Sequence, residues 1–127
     1  MDRYIIDSNV IVNYTSEKYS KKAMSFLADV IDEIPNISVI TKIEVLSWRS
    51  AIMQEEENMR LFVNSLNLIR LSDIIVEKCI EIRRNHKIKT PDAIIAATAI
   101  VNDFTILTSD SDFNPIPNLK IINPFNL

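Results

Sequence analysis

Short β-rich runs alternate with longer helical patterns along this sequence. Five runs are typical of strands, at residues 3–7, 37–40, 68–71, 104–108 and 119–123, and segments with helical periodicity separate the first four of them. A turn at SDSDF follows the fourth run. Strands joined through helices form right-handed crossovers, which produce a mainly parallel sheet covered by helices on both faces. We therefore predict one α/β domain over residues 1–127, built as three α/β/α layers around a mainly parallel central sheet.

The absence of glycine narrows the sites that this chain can form. It excludes a P-loop and a GxGxxG dinucleotide turn, which both need glycine beside a phosphate. Turns and helix ends with positive φ must use another residue, and asparagine tolerates that conformation. We therefore expect left-handed backbone among five asparagines, Asn36, Asn85, Asn102, Asn114 and Asn118.

Several features favour a cytoplasmic protein without a membrane anchor. No apolar run approaches the ~20 residues needed to span a bilayer. The first ten residues, MDRYIIDSNV, place Asp7 within their apolar run and offer no small-residue cleavage site, so we expect no secretory signal. Cys79 is the single cysteine, which excludes an intramolecular disulfide and is compatible with a reducing compartment.

Acidic residues recur where predicted strands end or the following helices begin. Asp7 directly follows the first strand, and Asp110 and Asp112 follow the strand at residues 104–108. Glu44 lies in the first turn of the helix predicted to start at residue 41, and Asp92 in the first turn of an alanine-rich helix over residues 90–102. Because ligands bind beyond the carboxyl ends of parallel strands, we expect these acids to converge at one edge.

Each of these acids also has a structural explanation. Asp7 and Asp110 are common turn residues. Thr41 and Glu44 have the spacing of a capping box. Asp92 suits the positive first turn of its helix. Both explanations stay open for each acid taken singly, and the functional one depends on their joint arrangement.

Four carboxylates at one sheet edge would repel each other unless cations lay between them. Oxygen ligands without histidine or cysteine suit Mg²⁺ or Mn²⁺, and two such ions ~4 Å apart can activate a water and stabilise the leaving oxygen of a phosphodiester. Asp7, Glu44, Asp92 and Asp110 contribute −4 to the net charge of −3, which leaves +1 on the rest of the chain. These residue types predict metal-assisted phosphodiester hydrolysis, of DNA or of RNA.

A cluster of basic residues precedes Asp92 and offers contacts for nucleic-acid phosphates. The cluster consists of Arg83, Arg84, Lys87 and Lys89. Cations at this position could meet phosphates that flank the scissile bond. The alternative is a solvated helix end, where the helix dipole favours positive charge.

The sequence resembles the PIN-domain nucleases, and among them the VapC-type toxins. Four segments carry this resemblance, in the same order as in the family and over nearly the whole chain. The segments are YIIDSNVIV, ISVITKIEVLS, KIKTPDAIIAATAI and TILTSDSDF. The resemblance implies a three-layer PIN-like fold and an Mg²⁺- or Mn²⁺-dependent endoribonuclease that cuts transfer or ribosomal RNA and so inhibits translation. It also implies a homodimer that a co-encoded antitoxin neutralises.

The resemblance carries roles to individual residues. Asp7, Glu44 and Asp92 match the three invariant acids of the family, as metal ligands and catalytic residues. The fourth is Asp110 or Asp112, and we prefer Asp110 as a ligand, with Asp112 as a nearby turn or supporting acid. Ser8, Asn9 and Thr108 match positions at which the family has polar residues. The resemblance implies that these residues orient the carboxylates by hydrogen bonds.

One alternative function is compatible with the same resemblance. A PIN-like scaffold could bind RNA or protein with little catalysis. Loss of an acid would mark such a scaffold, and this sequence retains all of them. Metal titration separates the two, because a scaffold should show little stabilisation by divalent ions.

Overall fold

A five-stranded parallel sheet forms the centre of the molecule. The structure, a computed structural model, describes residues 3–127. Its strands are β1 (Tyr4–Ile6), β2 (Asn36–Ser38), β3 (Asn67–Ile69), β4 (Thr105–Leu107) and β5 (Lys120–Ile122). They lie in the order β3-β2-β1-β4-β5, and every neighbouring pair is parallel. The predicted α/β fold with a parallel sheet is confirmed.

Helices cover both faces of this sheet and complete the three layers. They are α1 (Ser8–Thr15), α2 (Lys21–Asp32), α3 (Val39–Ser47), α4 (Met53–Asn64), α5 (Asp73–Asn85) and α6 (Thr90–Asn102). Among the helices described between residues 3 and 127, none combines the length and apolar character needed to cross a bilayer.

Alternating strand residues divide the interior into two hydrophobic cores. Ile5 and Ile106 belong to the core that contains buried residues of α5 and α6. Their neighbours Ile6 and Leu107 belong to the core that contains buried residues of α1, α2 and α4. Successive side chains of a strand point to opposite faces, so both faces of these strands must be apolar. This explains why the strands read as continuous apolar runs.

The boundary between β2 and α3 differs from the prediction and changes the position of Glu44. The strand ends at Ser38 and the helix begins at Val39, two residues before the predicted start. Ser38 is the N-cap, because its hydroxyl accepts a hydrogen bond from the Thr41 amide at 3.2 Å. Thr41 and Glu44 therefore do not form a capping box, and Glu44 lies in the second turn. The β-branched residues at 39 and 40 fit a strand or a helix, so the cap decided the boundary.

Positive φ angles fall mostly on residues other than asparagine. Within residues 3–127 they occur at Glu17, Ile34, Asp103 and Asn118, with φ values of 56°, 54°, 57° and 65°. Of the five asparagines expected to adopt this conformation, Asn118 does so, and the prediction was wrong for the other four. Glu17, Ile34 and Asp103 each follow a helix end. The point at which each helix ends therefore determines which residue adopts the left-handed backbone conformation, whatever its type.

The parallel arrangement brings the ends of distant segments to one edge. Ile6 pairs with Leu107, and the Asp7 amide donates to the Leu107 carbonyl at 3.0 Å. The residues that follow β1 and β4 therefore lie side by side. α1 begins directly after β1, and α3 directly after β2, so their first turns lie at the same edge.

Candidate functional site

Asp7 is a buried acid that caps a helix at the carboxyl end of β1. Its side chain is 5% exposed, and its Oδ1 accepts from the Ser8 amide at 2.8 Å, which makes Asp7, not Ser8, the N-cap of α1. Its Oδ2 accepts from the Thr108 hydroxyl at 2.8 Å and from Asn9 Nδ2 at 3.0 Å. Three donors therefore hold the carboxylate in one orientation.

Thr108 connects Asp7 to the segment that follows β4. Its hydroxyl donates to Asp7 and accepts from Asn9 Nδ2 at 3.2 Å and from the Asp110 amide at 3.1 Å. Asn9 also accepts from the Ser109 amide, through Oδ1 at 3.0 Å. Hydrogen bonds between groups about a hundred residues apart thus fix the carboxyl ends of the two central strands relative to each other.

Ser8 brings Glu44 toward Asp7. Its hydroxyl donates to Glu44 Oε1 at 2.8 Å, which connects the first residue of α1 to the second turn of α3. Glu44 is exposed, so this bond limits the orientations of an otherwise mobile side chain. All three polar residues predicted to orient the carboxylates, Ser8, Asn9 and Thr108, donate to one of the predicted acids.

Asp92, Asp110 and Asp112 form a compact group of carboxylates. One oxygen from each lies within 4.8 Å of the others. Asp92 is in the first turn of α6, and Asp110 caps a short 3₁₀ helix, Ser111–Phe113, by accepting from the Asp112 amide at 2.9 Å. The sequence left open which of Asp110 and Asp112 is the fourth acid, and the structure brings both of them next to Asp92.

The environment of Asp92 opposes its ionisation. The pKa of Asp92 is raised from its ordinary value of 3.8 to about 6, most strongly by burial and then by the charges of Asp110, Asp7, Asp112 and Glu44 in that order. Four acids that act on a fifth must lie within its electrostatic reach. The oxygens that lie within 4.8 Å of one another are those of Asp92, Asp110 and Asp112, and the convergence of Asp7 and Glu44 with them on a common ion stays a prediction.

Burial also raises the pKa of Asp7 above its usual range. Hydrogen bonds from Thr108 and Ser8 lower the pKa, and the charges of Glu44 and Asp110 raise it, so burial prevails. A buried carboxylate with neighbouring like charges is stabilised when a cation binds beside it.

The donor set fits a hard divalent cation. The group within 4.8 Å offers carboxylate oxygens only, without sulfur or imidazole nitrogen. Adjacent ligands of an octahedral Mg²⁺ at ~2.1 Å are ~3.0 Å apart and opposite ones ~4.2 Å, so these oxygens must move closer together to share one ion. Mg²⁺ or Mn²⁺ suits this chemistry better than Zn²⁺.

In the described part of the chain, no ion pair joins the predicted basic cluster to these acids. Arg83 donates through Nε to the Ile88 carbonyl at 3.3 Å, and Arg84 lies beside a groove along α5. Lys87 and Lys89 are exposed between α5 and α6. The charges that act most strongly on the Asp92 carboxyl are those of acids. Contacts of these four cations with RNA phosphates stay a prediction.

Tyr19 lies beside the segment that follows β4, at a position that no sequence motif marks. It is 7% exposed, and its hydroxyl lies 3.4 Å from Ser109 Oγ and from Asn13 Nδ2. Its ring packs on Phe125, with the ring centroids 4.6 Å apart. Tyr19 lies between α1 and α2 in no recognisable motif, so no sequence signal could have identified it.

Comparison with protein families decides the classification. The PIN domain family model matches residues 4–119. The chain belongs to the PIN domain family. The predicted family is therefore confirmed, and membership supports the nuclease class. No curated protein matches the sequence.

Solved structures share this PIN fold over nearly their full length. A toxin–antitoxin complex from Klebsiella pneumoniae is 26% identical, with a TM-score of 0.74 over 95% of this chain and 97% of that one. VapBC2 from Rickettsia felis, bound to a promoter DNA fragment, is 22% identical, with a TM-score of 0.76 over 94% of this chain and 97% of that one. DNA-bound VapBC from Salmonella typhimurium is 17% identical, with a TM-score of 0.79 over 98% of this chain and 99% of that one. The last two likenesses concern the fold alone.

Proposed function

We propose that this PIN domain is a metal-dependent endoribonuclease of the VapC toxin type, which hydrolyses RNA phosphodiester bonds. The acidic group at the sheet edge carries the proposal, because oxygens of Asp92, Asp110 and Asp112 lie within 4.8 Å of one another. The fold shared with toxin–antitoxin complexes supports the toxin class.

Asp7, Glu44, Asp92 and Asp110 are the proposed metal ligands and catalytic residues. Asp112 joins them because one of its carboxylate oxygens lies within 4.8 Å of those of Asp92 and Asp110. A bound Mg²⁺ or Mn²⁺ would supply activation of a water and stabilisation of negative charge on the reacting phosphate.

The polar residues around these acids set the orientation of the ligands. Thr108 and Asn9 hold one oxygen of Asp7, and the Ser8 amide holds the other. The Ser8 hydroxyl holds Glu44. Because these hydrogen bonds fix the carboxylates before a metal binds, less conformational entropy is lost on binding. Residues that hold metal ligands in this way raise the affinity for the metal.

Transfer or ribosomal RNA is the proposed substrate, and its cleavage in the cytoplasm would stop translation. A cognate antitoxin would keep the toxin silent, and the toxin would act as a homodimer. The toxin–antitoxin complexes that share the fold support the antitoxin partner. Arg83, Arg84, Lys87 and Lys89 are the proposed contacts for RNA phosphates outside the scissile bond.

The test expresses the protein without a partner and maps the 5′ ends of cellular RNA. Wild type should create new ends at defined positions, and Asp92→Asn should lower cleavage at least about 100-fold because it removes one ligand charge. Asp103→Asn is the matched control, since its exposed carboxylate lies at the other end of α6 and pairs only with Lys120 within the described chain. It should cleave like wild type.

Two results would contradict the proposal. The first is an identical cleavage map for wild type and Asp92→Asn. The second is the absence of thermal stabilisation by Mg²⁺ or Mn²⁺ in the wild type, which would favour a scaffold that binds without catalysis.

A further inference from the structure

Thr41 has a hydroxyl that is both buried and unpaired. The residue lies in the first turn of α3 and is 0% exposed. Among the buried side-chain nitrogen and oxygen atoms of residues 3–127, Thr41 Oγ1 is the one without a hydrogen-bond partner. Buried hydroxyls are nearly always paired in native proteins, because leaving one unpaired destabilises the fold. The unpaired hydroxyl therefore indicates a partner that this conformation does not supply.

Strand register and hydrogen bonds place Thr41 beside the acidic edge of the sheet. The register of β1 against β2 brings Ser38 level with Asp7. The Ser38 hydroxyl accepts from the Thr41 amide at 3.2 Å. One turn further along α3, Glu44 accepts from the Ser8 hydroxyl at 2.8 Å. The residues three positions before and three positions after Thr41 therefore both adjoin the segment that carries Asp7.

Helix geometry directs the Glu44 side chain toward Thr41. Side chains of an α-helix lean toward its N-terminus, so a long one covers the residues three and four positions earlier. Those residues are Thr41 and Ile40, and of the two only Thr41 has a side-chain donor. The Thr41 hydroxyl is therefore the donor that Glu44 can reach on its own helix.

One oxygen of the Glu44 carboxylate is available to accept a further hydrogen bond. The Ser8 hydroxyl binds Oε1, and no hydrogen bond to Oε2 occurs in the described part of the chain. Glu44 is exposed, while the clustered aspartates lie within 4.8 Å of one another, and α3 contacts α6, which carries one of them. Sharing a cation with them therefore requires the Glu44 carboxylate to turn toward the buried side of α3, where Thr41 lies.

We propose that Thr41 is a positioning residue of the acidic site, and that its hydroxyl donates to Glu44 Oε2 when a divalent cation is bound. This inference rests on the metal-dependent activity of the proposed function and adds a residue to its site. Ser8 and Thr41 then hold one oxygen each of the Glu44 carboxylate, as donors hold both oxygens of Asp7. The buried hydroxyl gains its partner in the same step.

Binding of Mn²⁺ alone, measured by isothermal titration calorimetry without RNA, tests this role. Thr41→Val keeps the shape of the side chain but removes the donor, and it should raise the Mn²⁺ dissociation constant about 10-fold. Thr41→Ser retains the hydroxyl and should bind like wild type. Thr98→Val is the matched control and should not change the affinity, because Thr98 is 1% exposed and its hydroxyl already donates to the Ile94 carbonyl at 2.7 Å.

Thermal unfolding in a chelator gives a second readout, in which the effect has the opposite sign. Without metal, Thr41→Val should melt roughly 3–5 °C above wild type, because it removes an unpaired buried hydroxyl. Thr98→Val should not melt above wild type, since its hydroxyl is paired. Excess Mn²⁺ should remove the advantage of Thr41→Val, because the wild type then binds the ion more tightly. A merely structural hydroxyl would change the melting temperature equally with and without Mn²⁺.

A double-mutant cycle tests whether Thr41 acts through Glu44. Glu44→Ala removes the proposed acceptor and should weaken Mn²⁺ binding by itself. In that background, Thr41→Val should raise the Mn²⁺ dissociation constant no further, because the two side chains share one interaction.

Three outcomes would overturn the inference: an unchanged Mn²⁺ affinity of Thr41→Val, a lower melting temperature of Thr41→Val in the chelator, or a full Thr41→Val effect in the Glu44→Ala background. If the wild type binds Mn²⁺ and cleaves RNA, these results refute the role of Thr41 alone. Failure of the wild type to bind Mn²⁺ would refute the proposed function together with this inference.

Discussion

Asp7 shows how one residue can satisfy both explanations that the sequence leaves open. Its Oδ1 caps α1 through the Ser8 amide, as the structural explanation requires. Its Oδ2 is bound by Thr108 and Asn9 and lies within the electrostatic reach of Glu44 and Asp110. The same carboxylate therefore caps α1 and lies near the other acids. Its role as a helix cap does not argue against its proposed role in metal binding.

At the same scale, we expect Thr108→Val to weaken metal binding about 10- to 100-fold. The substitution keeps the shape of the side chain but removes the donor to Asp7 and the acceptor for Asn9 and Asp110. The measurement is the Mg²⁺ concentration that gives half-maximal RNA cleavage. Thr108→Ser retains the hydroxyl and serves as the control. An unchanged Mg²⁺ requirement in Thr108→Val would show that Thr108 does not position Asp7.

The raised pKa of Asp92 predicts how stability depends on pH in the absence of metal. Because the folded-state pKa is about 6, above the ordinary value of 3.8, folding favours the protonated carboxyl. This contribution to stability is complete below about pH 4 and is lost as the pH rises through about 6. Without metal, Asp92→Asn should therefore be more stable than wild type near pH 7, and this advantage should shrink toward pH 4.

Thermal unfolding of both proteins in a chelator between about pH 4 and pH 7 measures this difference. Excess Mg²⁺ should reverse the order at neutral pH, because the ion favours the ionised form of Asp92 in the folded state. A difference in stability that does not change with pH would contradict the raised pKa.

At the scale of the element, the end of α2 is strained. Ile34 has a φ of 54° and is 60% exposed, so a β-branched side chain adopts the left-handed region while burying little apolar surface. For such a residue this conformation costs ~1–2 kcal/mol. It is adopted because α2 ends against Pro35, which cannot continue a helix.

We expect Ile34→Asn to raise the free energy of unfolding by about 1 kcal/mol, because asparagine tolerates positive φ. The midpoint of urea denaturation measures the change. Ile43→Asn removes an equally exposed isoleucine, at 57%, from the right-handed backbone of α3 and should give no such gain. A lower midpoint for Ile34→Asn than for wild type would refute the strain.

The start of α3 shows how an element boundary affects the site. The β-branched residues Val39 and Ile40 extend the strand pattern, but the Ser38 hydroxyl caps the helix before them. This moves Glu44 from the first turn to the second, where it meets the Ser8 hydroxyl. A local hydrogen bond therefore positions an acid that the strand pattern alone misplaces.

At the scale of the whole molecule, strand order determines where the acids meet. From β1 the chain passes to β2 and β3 on one side of the sheet, and β4 and β5 lie on the other side of β1. This reversal creates a crevice beside β1 and β4, where ligands of parallel α/β sheets bind. Asp7 follows β1 there, and Thr108 follows β4. The predicted convergence of distant acids depends on this order.

The sequence by itself determined the strands, the helices, the two apolar faces of the sheet and the acids that follow strands, because periodicity and strand ends are local properties. The tertiary structure alone decided that Asp112 as well as Asp110 lies within 4.8 Å of Asp92 and that Ser8 holds Glu44. Asp7 and Thr108 are 101 residues apart, yet their side chains are 2.8 Å apart. Strand order and register set that distance, and no local pattern encodes them.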